Sequence, residues 1–81
     1  MRDKNIIGPW IREARKKADM SQEKLAGRLQ VMGIKIDRSA IAKVETGRRP
    51  VSDIEIAAIA KTLNVQVSWL FQAERKISTN K

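Results

Sequence analysis

The chain has 81 residues, no cysteine, no histidine and a formal net charge of +8. That length makes one domain, above the roughly 40 residues below which staples are usually required; the missing thiols exclude disulfides and thiolate metal sites, and the missing imidazoles remove the commonest metal ligand and general base. No apolar run nears the ~18 residues of a membrane span and no apolar core follows the basic N-terminus, so the chain reads as cytoplasmic, with no membrane, metal or cofactor.

Residues 1–5 are polar and read as a flexible N-terminal arm. The first helix is predicted from about Pro9 to Ala18: proline suits a first-turn position, and Ile7, Ile11, Ala14 and Ala18 recur at the spacing of one inward stripe. Ser21 is the N-cap of a second helix that buries Leu25, Ala26 and Leu29 and stops by Gly33. A short alternating stretch, Ile34-Lys35-Ile36, leads to Asp37, which caps a third helix. That helix buries Ile41 and Val44 and ends at Gly47, a residue free to turn left-handed.

Arg48 to Val51 is an extended connector. Ser52 and Glu55 have capping-box spacing and open a fourth helix with Ile56, Ile59, Ala60 and Leu63 inward. Asn64 ends it. A last short helix carries Trp69, Leu70 and Phe71, three bulky residues that it cannot bury together. Leu70 is the core candidate; Trp69 and Phe71 are candidates for a subunit contact, with folding back onto the core as the equal alternative. The folded unit is residues 6–73, and residues 74–81 form a flexible tail.

The second and third helices make a pair whose later member carries outward basic and polar groups. Between Met1 and Arg49 thirteen Lys/Arg face six acids, a balance of +7, whereas the remainder carries +1. A positive field on that half attracts polyanions. A helix is about 10–12 Å across with its side chains, and the major groove of B-DNA is about 12 Å wide. The pair is therefore shaped and charged to enter a duplex.

Taken together, Ile11 and Arg15, Ser21-Gln22, Leu25-Ala26, Leu29, Ser39, Ile41, Val44-Glu45, Gly47, Ile59-Ala60, Leu63, Val65 and Trp69-Leu70 resemble the XRE-type helix-turn-helix proteins, the family of the Cro and lambda-like repressors. The resemblance spans roughly Ile6 to Phe71. It implies an all-α, compact five-helix lambda-repressor-like domain. One departure is visible: the segment from Gln30 to Arg38 is about five residues longer than a tight helix-turn-helix connection, so the second helix is expected to reach Met32 with Ile34 and Ile36 beneath it.

The resemblance implies base contacts from Arg38, Ser39, Ala42 and Lys43 on the third helix, with arginine and lysine suited to guanine O6 and N7. It implies a phosphate contact at Gln22, in the first turn of the second helix. Lys35, Arg48 and Arg49 are candidates for flanking phosphates. Arg15 and Glu45 are implied to form a structural ion pair, expected to be partly exposed. The function this points to is a double-stranded DNA-binding transcriptional regulator, in particular a repressor occupying a near-palindromic operator as a homodimer. The alternative is an antitoxin or adaptor that uses the fold to hold a protein partner. An RNA-binding domain is disfavoured by the lack of an aromatic platform, and an enzyme by carboxylates without pairing or metal-ligand spacing.

Overall fold

The computed structural model describes residues 3–72. The helices are α1 (Gly8–Lys17), α2 (Gln22–Val31), α3 (Arg38–Glu45), α4 (Asp53–Leu63) and α5 (Val67–Leu70), and the described residues contain no strand. α3 packs on α1 and α2, and α4 closes the far side against α1, α2 and α5. No helix is long and apolar enough to cross a membrane among the described residues.

Three helices, α2, α3 and α4, start where the side chain of the N-cap residue takes an orphan N–H. Ser21 Oγ accepts from Lys24 N at 3.0 Å and Asp37 Oδ1 from Ala40 N at 2.8 Å. At α4 the reciprocal box is complete: Ser52 Oγ accepts from Glu55 N, and Glu55 Oε1 accepts from Ser52 N. Such caps are worth about 1 kcal/mol each.

The first four helices end alike. Asp19, Gly33, Gly47 and Asn64 all have positive φ (55°, 86°, 79° and 59°). After each, the next N–H reaches back to a carbonyl five residues earlier: Met20 to Arg15, Ile34 to Leu29, Arg48 to Lys43 and Val65 to Ala60, at 2.8–3.1 Å. This is the Schellman arrangement, which satisfies the last helical carbonyls. Asp19 was not an expected stop. Because α1 ends at Lys17 and the chain turns at Asp19, Ala18 is exposed, and the predicted inward stripe stops at Ala14.

The longer connection is absorbed without distortion. α2 runs to Val31, Gly33 turns the chain, and Ile36 drops into the core at 2% exposure. Gln30 Nε2 donates to Ile36 O at 3.2 Å, closing the insertion on itself. The core is made of Ile7, Ile11, Leu25, Leu29, Ile36, Ile41, Val44, Ile59 and Leu70, each no more than 2% exposed. Full burial of such a side chain contributes about 1.5–3 kcal/mol. Ile56 is only partly buried, and Ala58 takes a core place that periodicity had not assigned.

Gly27 sits in the middle of α2 with nothing within 4 Å of where a Cβ would stand. Gly27→Ala is therefore expected to stabilise the domain by about 0.5–1 kcal/mol, since it restricts only the unfolded chain and the helix backbone. A denaturant titration at constant slope measures it; a loss of stability would show that the helix is already strained there.

Candidate nucleic-acid interface

α3 divides cleanly into two faces. Ile41 and Val44 are wholly inaccessible, while Arg38, Ser39 and Lys43 are exposed and Ala42 half-buried. At about 100° per residue these four outward positions fall within an arc of about 140°. Lys35 is exposed three residues before the helix and Arg48 exposed just past its end. Among the described residues none of Lys35, Arg38, Lys43 and Arg48 is held in an ion pair.

Arg49 is placed differently. Its guanidinium donates to both carboxylate oxygens of Glu55, each at 3.1 Å, and to Pro50 O at 2.9 Å. The Arg49 hydrogen bonds hold the Glu55 carboxyl below the usual carboxylate range, outweighing its partial burial, with a further contribution from Ser52 N–H. The same bonds raise the Arg49 pKa. The carboxylate that caps α4 thus also anchors the connector leaving α3.

Behind the exposed face of α3 lies a second ion pair. Arg15 Nε donates to Glu45 Oε2 at 2.6 Å and Nη2 to Oε1 at 3.0 Å, a bidentate fork. Its side chains are 11% and 2% exposed, so the pair is more deeply enclosed than a surface contact between two helices would be. Arg15 Nη1 also donates to Met20 O at 2.8 Å. Gln22 Nε2 donates to Glu45 Oε1 at 3.1 Å. One carboxylate therefore joins α1, the first turn of α2 and the last residue of α3. Every buried side-chain nitrogen and oxygen among the described residues has a partner.

In α5 and just beyond it, Leu70 is fully buried, and Trp69 and Phe71 are both half-buried. Trp69 meets Trp10 edge to face, with centroids 5.6 Å apart at 79°, and Lys17 Nζ lies 5.7 Å over the Trp69 ring. Nothing in the sequence around Trp10 points to this partner. Asn5 lies in a segment read as a loose arm, although an asparagine three residues before a helical N–H has the spacing of a cap.

Comparison with known proteins fits this architecture. A family model described as Helix-turn-helix (HTH_3) matches residues 11–70. The chain belongs to the XRE-type helix-turn-helix family. No curated protein gives a significant match. Among solved structures, the chain is similar to the restriction-modification controller protein C.AhdI from Aeromonas hydrophila. The two share 37% identity, with 80% of this chain and 87% of that chain covered and a TM-score of 0.69. As a member of the XRE-type family the chain is a DNA-binding transcription regulator, and the exposed face of α3 lies on its helix-turn-helix.

Proposed function

We propose that the chain is a sequence-specific regulator that occupies a near-palindromic operator as a homodimer and represses by blocking it. The observation that supports this most directly is the exposed, unpaired cationic face of α3 on a helix whose other face is buried in the core. Arg38, Ser39, Ala42 and Lys43 contact base edges, with Arg38 and Lys43 reading guanine O6 and N7. Gln22, Lys35 and Arg48 contact phosphates; Gln22 is oriented for this by Glu45. Arg49 joins them only by exchanging Glu55 for a phosphate. Trp69 and Phe71 form the subunit contact, which sets two reading helices about 34 Å apart, one turn of DNA.

Selection from a random duplex library at two salt concentrations tests the reading. The expected product is a two-fold motif with guanine in each half. Arg38→Ala relaxes one motif position, at a cost of about 1–3 kcal/mol there. Arg48→Ala weakens all sequences alike and flattens the salt slope by about one unit. Uniform loss in both variants would refute the division between base and phosphate contacts. The likeness to a restriction-modification controller protein favours a narrower reading, control of restriction-modification genes; the selected motif should then lie upstream of such genes in the source genome.

A further inference from the structure

We propose that Asn5 is a positioning residue for the reading helix, setting the angle at which α3 is presented to DNA. This rests on α3 being the element that reads the duplex.

Asn5 makes three hydrogen bonds to three separate parts of the fold. Its Nδ2 donates to Val44 O at 3.0 Å and to Arg49 O at 2.8 Å. Its Oδ1 accepts from Gly8 N at 2.7 Å. One amide thus joins the last turn of α3, the connector beyond it and the first turn of α1, which has no side-chain cap from its own N-cap residue Ile7. Two neighbours reinforce the grip. Lys4 N donates to Gly47 O at 2.8 Å, and the Asp3 side chain lies against the Cα of Gly47. Residues 3–5 therefore clasp the C-terminal end of α3.

The leverage follows from length. α3 has eight residues, about 12 Å at 1.5 Å per residue. Its base-reading side chains begin at Arg38, the end remote from the clasp. A swing of about 10° about the held end displaces the far end by about 2 Å on that length, enough to break a bidentate contact to a base. Near Asp37 the helix is held by its own cap, by Gln30 bonding Ile36 O and by the buried Ile36 and Ile41; the clasp holds the opposite end, so the two ends together fix the tilt. Phosphate contacts from Lys35 and Arg48 tolerate such a swing better, since they need only a charge nearby.

Asn5→Asp tests this. Aspartate keeps the acceptor for Gly8 N but supplies no donor, and it turns a carboxylate oxygen towards the carbonyls of Val44 and Arg49. Asn5→Ser is the second variant: its hydroxyl accepts locally and cannot bridge to both distant carbonyls. Each is measured well below its own melting midpoint, against the motif selected by the wild type and against unrelated duplex. The expected result is at least a tenfold loss for the motif with less than a twofold change for unrelated duplex, together with faster amide exchange at Gly47 and Arg48. A lowered melting temperature with an unchanged affinity ratio would leave Asn5 as stabilising only and overturn the proposal. A wild type that selects no motif would fail earlier, and would remove the DNA reading together with it.

Discussion

Glu45→Ala is expected to lower the stability of the domain by about 3–5 kcal/mol, the cost of leaving a buried charge without its partner. The Arg15 guanidinium would keep only Met20 O, and the Gln22 amide would lose its acceptor. An exposed pair would lose only about 0–1 kcal/mol, and the 11% and 2% side-chain exposure decides between the two regimes. Small domains have about 5–15 kcal/mol in total, so the variant would sit near the edge of folding. Chemical unfolding of the wild type, Glu45→Ala, Arg15→Met and the double variant Arg15→Met with Glu45→Met separates the terms. The double variant should recover much of the loss, because apolar groups of similar volume remove the uncompensated charge. A loss below 1 kcal/mol in Glu45→Ala would mean that water reaches the pair.

Gly8→Ala should be destabilising by about 3 kcal/mol or more, the upper range for overpacking. A Cβ there would collide with Val44 O and stand 2.9 Å from Glu45 O, both backbone atoms with no rotamer to yield. The first turn of α1 would have to back away from the end of α3, opening the interface that Asn5 bridges. The comparison with Gly27→Ala makes the test internal: the same methyl group is added to two helices, with opposite expected signs. Thermal unfolding of both variants side by side reads the difference. Equal effects would show that helix propensity, and not the close approach, dominates at Gly8.

Much of this architecture was legible because its signals are local. Ser21, Asp37 and Ser52 announce helix starts within three residues of the N–H they cap, and Gly33, Gly47 and Asn64 announce stops by tolerating positive φ. The burial of Leu25, Leu29, Ile41 and Val44 followed from helical periodicity. Where the relevant partner is distant in sequence, no local signal points to it. The cap spacing of Asn5 to Gly8 is local, but its bonds to residues 39 and 44 positions away leave no signal in its own segment. The need for glycine at position 8 comes from Val44 and Glu45, not from its neighbours. Trp10 finds its place only once α5 has folded back to bring Trp69 to it. The candidate site shows the same division: which residues of α3 face outward follows from an arc on one helix, whereas the engagement of Arg49 by Glu55 depends on how the connector bends into α4.

The segment between α2 and α3 has a consequence for how such a regulator can diversify. Its extra length begins at a helix stop and ends at a buried isoleucine, and Gln30 links its two ends across six positions. Lys35 hangs from this closed loop, and Val31, at 88% exposure, stands beside it as the outward-facing last residue of α2. Replacements at those two positions can thus retune what the outer rim touches while the aim of the helix stays where the core and the clasp of residues 3–5 have set it.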